Sequence, residues 1–398
     1  MAIPCIPRIN SIMNSIVITL FLVFIPFGFA FAFNQRFSTI QLPYQKPLSL
    51  FVLPFNNQNN YEITGGRRGR VRTSDLPRGI SPFEKSEAKS LDLPSDFRRR
   101  ATEALIQARK DGKVLLEIEF PPLLFRGKTQ FDDFDNVQEL NLNRDWCIEW
   151  LPTLATGVVP SSSGGIWMIL PDLKECELAK EEWRGGRYLN SAQFTTIEVA
   201  TRHYTGDSNY RKPWGASFAT AMSTLMSGGS TNGFLGDSRT LDPLDGNPEI
   251  HLLCQPGNGG PVEDWVNCEI LHTQSEKMAL ATSSSPTTTV IVNGALDKVR
   301  DGYYPGVFFP ELASTVDRFY KKFESIFYLR PLSDKGCYGW LYRVYPEPWQ
   351  VVLQTTKSSG SKLVVENIVV YTSETRPTFA FAIDKLIQGA TAASRREV

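Results

Sequence analysis

The stretch from Thr287 to Leu312, TTTVIVNGALDKVRDGYYPGVFFPEL, restricts the fold of this chain more than any other. Thr287 to Val292 is an uncharged, β-branched run, the pattern of a strand buried on both faces inside a parallel sheet. Asn293-Gly294 stops it, and the residues that follow are amphipathic and charged: Asp297, Lys298, Arg300 and Asp301. A buried strand that ends in a polar turn before a short helix places Asn293, Asp297 and Arg300 near the carboxyl edge of a sheet. Open α/β sheets keep their ligand crevices at that edge. The next nine residues, Gly302-Tyr303-Tyr304-Pro305-Gly306-Val307-Phe308-Phe309-Pro310, hold too much Gly and Pro for regular structure. They are expected to form a loop laid on an apolar surface.

The rest of the chain continues the alternation. Ser95 or Asp96 is placed to cap a helix in which Phe97, Ala101, Ala104, Leu105 and Ala108 share one face. Arg98, Arg99 and Arg100 at its start run against the helix dipole. Val114 to Phe120 alternates as a strand, with the carboxylates of Glu117 and Glu119 on one side, and Pro121-Pro122 stops it. Ile166 to Leu170 reads as a second buried strand, Leu173 to Arg184 as a helix, and Phe194 to Ala200 as an alternating strand. Between Gly206 and Pro248 the composition turns to Gly, Ser, Asn and Asp, with a short helix expected over Ala216 to Met226. Glu249 to Cys254 is a further strand, Leu312 to Phe323 an amphipathic helix, and Ile326 to Leu329 a short strand. Cys337 to Tyr345, Trp349 to Gln354 and Lys362 to Tyr371 read as antiparallel strands ahead of a last helix, Thr378 to Gln388. The sum is an α/β fold: a mostly parallel central sheet flanked by helices, with a C-terminal antiparallel extension. One domain is expected over residues 91–390, after a targeting segment and linker at 1–90.

Charge is uneven along the chain. Residues 1–72 carry seven basic side chains against Glu62 alone, so the remainder of a chain with 42 basic and 42 acidic residues is net acidic by six. An acidic body lacks the basic face that nucleic-acid backbones require. Ahead of Glu62 lies the apolar run Ser15 to Phe33. It reads as a secretory core with Ala30-Phe31-Ala32 at the cleavage site, as a marginal membrane span, or as part of an acid-free organellar presequence.

Familiar catalytic and cofactor motifs are missing. No G-x-x-x-x-G-K-[ST], no G-x-G-x-x-G after a strand and no G-x-S-x-G occurs. Gly257-Asn258-Gly259-Gly260 has no Lys and no helix is expected to follow it, so it reads as a plain loop. The six cysteines form no C-x-x-C and are read as buried thiols. His251-x-x-Cys254 with Cys268-x-x-x-His272 is the one spacing that suggests zinc. Residues three apart on a strand face opposite ways, so ordinary burial accounts for them better. No metal and no cofactor is expected. Glu117 and Glu119 suit acid–base work or a cation, but a half-exposed strand face with basic partners explains them more simply. Tyr303 and Tyr304, with Arg343 and Trp349 from the later hairpin, have the composition of an interface core.

Several stretches taken in order resemble a plant and cyanobacterial domain family of unknown function. They are Leu93-Pro94, Asp111-Gly112-Lys113 leading to Glu117-Ile118-Glu119-Phe120-Pro121, Cys254-Gln255-Pro256-Gly257, Val292 to Arg300, and Tyr342-Arg343 to Trp349. The family is typified by the low photosystem II accumulation assembly proteins, and its domain also occurs fused to a chloroplast adenylate kinase. The resemblance implies a chloroplast protein, stromal or on the stromal face of the thylakoid, that assists photosystem II assembly through protein contacts. A photosystem II core subunit or the thylakoid insertion machinery is the implied partner, with peripheral membrane association open. The presequence departs from a usual transit peptide in being more apolar and poorer in Ser. The alternative is a nucleotide- or metabolite-binding enzyme that uses Glu119, Asp172, Asn293 and Asp297 at the sheet edge.

Overall fold

The computed structural model describes residues 93–121, 136–159, 165–206, 210–212, 243–257, 262–359 and 362–395. The targeting segment and the helix expected over Ala216 to Met226 lie outside them. Among the described residues nine strands form one sheet. They are β1 (Leu115–Glu119), β2 (Ile166–Leu170), β3 (Gln193–Thr196), β4 (Ile250–Cys254), β5 (Thr288–Val292), β6 (Glu324–Asp334), β7 (Cys337–Val344), β8 (Trp349–Ser359) and β9 (Lys362–Ser373). The order across the sheet is β3-β2-β4-β5-β1-β6-β7-β8-β9. Every pair from β3 to β6 is parallel, and β6 to β9 pair antiparallel. The mostly parallel core with an antiparallel extension is therefore present as expected.

Side-chain alternation divides the sheet into two faces. On the first, Leu116, Ile118, Met168, Leu252, Val290 and Val292 meet α1 (Leu93–Lys110), α2 (Asn136–Gly157) and α3 (Leu173–Glu182). On the second, Leu115, Trp167, Ile169, Leu253 and Ile291 meet four helices: α5 (Ile197–Thr205), α6 (Glu263–Thr282), α7 (Leu296–Arg300) and α8 (Pro310–Arg318). A short α4 (Gly186–Leu189) precedes β3. The antiparallel strands present Tyr328, Leu332, Leu341, Trp349 and Val351 to α9 (Phe379–Ser394), through Ala382 and Leu386. That helix lies so close to the sheet that a β-carbon at Gly339 would collide with the Val352 carbonyl and Leu386.

Local chemistry explains where elements begin and end. Phe97, Ala101, Ala104, Leu105 and Ala108 are all buried, as the helical spacing of α1 requires. Its opening arginines have partners: Arg98 meets Glu149 at 2.6 Å and Arg99 meets Glu103 at 2.8 Å. Asp172 caps α3 by accepting from the Glu175 amide at 2.9 Å. The run Phe194 to Ala200 is not one strand. Thr196 ends β3, and its hydroxyl caps α5 by accepting from the Val199 amide at 3.2 Å.

Candidate functional site

The carboxyl ends of the parallel strands carry two polar clusters, one on each side of the sheet. The first lies on the second face, in the seam between the apolar layer under α6–α8 and the layer under α9. Glu117, in the middle of β1, turns its Oε2 to three donors: Arg300 at 2.8 Å, Ser325 at 2.6 Å and Arg376 at 3.1 Å. Asp297, one residue into α7, accepts from the Tyr328 hydroxyl at 2.6 Å and Arg330 at 2.8 Å, and also from Arg376. Arg376 lies over the rings of Tyr328 and Trp349, at 4.6 and 5.1 Å from their centroids. Such stacking suits the weakly hydrated guanidinium plane. Glu119 Oε2 accepts from the Ala295 amide at 3.1 Å.

Burial opposes ionisation of Glu117, but Arg300 and Arg376 outweigh it, and the carboxyl is held down at about 2. This carboxylate is ionised and locked at neutral pH, unlike a general acid or base whose pKa lies near the working pH. The half-exposed face expected for Glu117 and Glu119 is not found, because both are buried. The reason is that this face of β1 is covered, with Arg300 and Arg376 packed onto Glu117 and the Ala295 amide onto Glu119. Of the residues considered for a ligand-binding edge, Asp172 serves as a helix cap and Asp297 is engaged by two arginines and a tyrosine.

The second cluster consists of amides. Phe120 N donates to Asn293 Oδ1 at 2.8 Å, Asn293 Nδ2 to Asn143 Oδ1 at 2.6 Å, and Asn143 Nδ2 to Gln255 Oε1 at 2.8 Å. Asn143, Gln255 and Asn293 are all buried. Gln255 and Asn293 each have a left-handed backbone, with φ of 51°. Had β4 and β5 run on, these two side chains would have followed the opposite face from Cys254 and Val292. The left-handed turn breaks that alternation, and both make their bonds toward α2. Sequence reading found Asn293 but missed Asn143, Gln255, Arg330 and Arg376. The signal for Asn143 lay in a helix that went unread. Gln255 carries no local signal beyond its place in Cys254-Gln255-Pro256-Gly257.

The aromatic loop divides in two. Tyr304 and Phe309 pack into the apolar layer of the second face, whereas Tyr303, Val307 and Phe308 are 68, 89 and 76% exposed. The residues expected to complete a patch do not join it. Trp349 is 2% exposed and packs under α9. Arg343 is buried and bonded to Glu324 and to the Glu347 carbonyl at 3.1 Å. Trp349 and the loop belong to different apolar layers.

The zinc spacing also comes apart. Cys254 packs in the apolar layer of the first face and Cys268 in that of the second, while His251 packs against Trp167 at 5.3 Å between ring centroids and His272 bonds the Thr289 hydroxyl at 2.9 Å. Among the described residues no group of three or more His, Cys, Asp or Glu could hold a metal ion. Of the cysteines, Cys147, Cys176, Cys254 and Cys268 are buried thiols and Cys337 is partly buried.

A family model described as a domain of unknown function (DUF1995) matches residues 94–380. This chain belongs to that family. The match takes in both polar clusters, the aromatic loop and the start of α9. No curated protein and no solved structure matches the chain. Among the described residues no helix is long and apolar enough to cross a membrane.

Proposed function

We propose that this member of the DUF1995 family is a chloroplast auxiliary protein that assists assembly or accumulation of photosystem II by holding another protein. The observation that carries the reading is the exposed apolar turn Tyr303–Phe308 on a rigid mount. Three large side chains face solvent within six residues. The turn is anchored from behind by Tyr304 and Phe309, and at its base by α7. Arg300 fastens α7 to the Tyr320 carbonyl at 3.1 Å and to Glu117, while Asp297 fastens it to Tyr328, Arg330 and Arg376. Rigid aromatic anchors lose little entropy on docking, which favours them as interface hot spots. The choice of photosystem II rests on the resemblance to the low photosystem II accumulation proteins. A core subunit or the thylakoid insertion machinery is the partner in this reading, met from the stromal side.

Crosslinking in intact chloroplasts followed by mass spectrometry tests it. Lys298, Lys321 and Lys322 flank the turn or its mount and provide reactive amines. The expected result is crosslinks from these lysines to a photosystem II core subunit or to the insertion machinery, lost in a Tyr303→Ser, Phe308→Ser double variant. Crosslinks from these lysines only to proteins outside that set, or links that survive the double substitution, would sink the proposal.

A further inference from the structure

The amide cluster has a direction, and the direction is fixed by its first member. A backbone N–H can only donate, so the Phe120 amide obliges Asn293 to present Oδ1 to it. Asn293 then turns Nδ2 to Asn143, whose Oδ1 accepts and whose Nδ2 must be the atom facing Gln255. Gln255 therefore accepts through Oε1, and its Nε2 is left as the outer end of the relay. The usual ambiguity in amide orientation does not apply to such a chain, because one end is a group that cannot be turned around. Gln255 Nε2 is buried and meets no acceptor among the described residues. A buried donor without an acceptor costs free energy, which a bound acceptor oxygen would recover.

The relay also stands where the topology opens the sheet. β1 sends its chain to α2 on the first face, whereas its neighbour β5 sends its chain to α7 on the second. Likewise β2 leads to α3 on the first face and its neighbour β4 to α6 on the second. One reversal of crossover direction thus falls between β5 and β1, where Asn293 meets Phe120, and the other between β2 and β4, beside Gln255; such reversals are where α/β sheets form ligand crevices. Gln255 follows β4, Asn293 follows β5, and Asn143 reaches them from α2. The left-handed backbone at both Gln255 and Asn293 is strain of the kind that collects at ligand clamps.

We infer that Gln255 is the recognition donor of a small-molecule site at the carboxyl ends of β4 and β5, which takes a ligand with a carbonyl-type oxygen, amide or carboxylate. Every member of the relay is neutral, and each bond polarises the next, so the terminal N–H is a strengthened donor without net charge. That matches a planar acceptor oxygen better than a phosphate, which draws on guanidinium, ammonium or several backbone amides at once. The site is separate from the exposed aromatic turn, and neither proposal depends on the other.

The test uses the full-length chain labelled with nitrogen-15, with acetamide, acetate and inorganic phosphate as probes. The Gln255 side-chain N–H pair is assigned by its disappearance in Gln255→Glu. That variant keeps an acceptor for Asn143 but offers no N–H to a ligand. Saturable displacement of the pair by acetamide or acetate, with affinity reduced about tenfold or more in Gln255→Glu, is the expected result. Gln255→Met gives the same assignment if the glutamate variant does not fold, and titration of the wild-type chain stands without either. No displacement by acetamide or acetate, or displacement by phosphate alone, overturns the inference. So does a persistent magnetisation transfer from the pair to a long-lived water, since that water would then be the acceptor.

Discussion

Arg376 donates to the Glu117 carboxylate at 3.1 Å, joining residues 259 apart in the chain. One belongs to the middle of the first strand and the other to the approach of the last helix. Their pairing ties the antiparallel extension back onto the parallel core. Removing one side of such a pair leaves an uncompensated buried charge, which costs more than the intact pair contributes. Glu117→Gln, which leaves Arg300 without a carboxylate and Arg376 with Asp297 alone, is expected to lower stability by about 3–5 kcal/mol in urea unfolding. A loss under about 1 kcal/mol would mean that the seam is dispensable.

The same carboxylate sets an acid limit. Its folded pKa, about 2, lies below the ordinary 4.5. The stability it contributes is therefore complete above roughly pH 4.5 and is lost as the pH falls toward 2. Urea midpoints recorded across that window should fall steeply for the wild type and less steeply for Glu117→Gln. Parallel curves would show that other carboxylates govern acid unfolding.

Asp264, in the first turn of α6, shifts in the opposite sense. Burial, with Glu263 and Glu198 nearby, pushes its carboxyl up to about 7. A raised folded pKa stabilises the protein below the unfolded value, near 4, and that contribution disappears as the pH rises through 7. Asp264→Asn removes the titration. It should raise the melting temperature at pH 8 and flatten the fall in stability between pH 4 and 7. An unchanged pH profile would remove Asp264 from the account.

The buried strand at Thr288–Val292 and the polar turn after it were legible because β-branched runs, Asn-Gly and a charged helix leave local marks. The seam was half legible. Glu117, Asp297 and Arg300 announce themselves near strand ends, whereas Arg330 and Arg376 reach it only through a sheet order that no local pattern encodes. α2 was missed because its sequence carries Trp146, Cys147, Ile148, Trp150 and Leu151 almost without a polar side, and Pro152 lies inside it. Helical periodicity fades when a helix is buried this broadly. With α2 unread, Asn143 and the amide relay could not be seen. The glycine run after Gln255 reads as a plain loop because no helix signal follows it in the sequence. The 20-residue α6 in fact follows.

Gly257, at the start of that run, has φ of +72°, and a β-carbon there would collide with the Trp265 indole. Both backbone and space require glycine. Gly257→Ala should lose more than about 1 kcal/mol, the usual scale for strain at a left-handed position, and Trp265 fluorescence should shift as the ring is displaced. Near-wild-type stability with an unshifted spectrum would show that the turn relaxes freely.

Trp349 reads from sequence as a docking residue and Phe308 as part of the aromatic loop, and the structure gives them opposite surroundings. Trp349 is packed against Tyr328 at 5.1 Å between centroids, with the guanidiniums of Arg343 and Arg376 over its ring. Phe308 is 76% exposed. Trp349→Ala should cost about 3–5 kcal/mol, the scale for truncating a buried aromatic, and any loss of partner capture would follow from unfolding. Phe308→Ser should leave stability within about 0.5 kcal/mol, as surface changes do. It should nonetheless weaken capture of the crosslinked partner by a factor of ten or more, about the effect of losing one hot-spot residue. Chemical denaturation of each variant, run beside the capture assay, separates the two. A Phe308→Ser protein that melts early would place the turn in the core, and one that captures its partner at full strength would remove the turn from the interface.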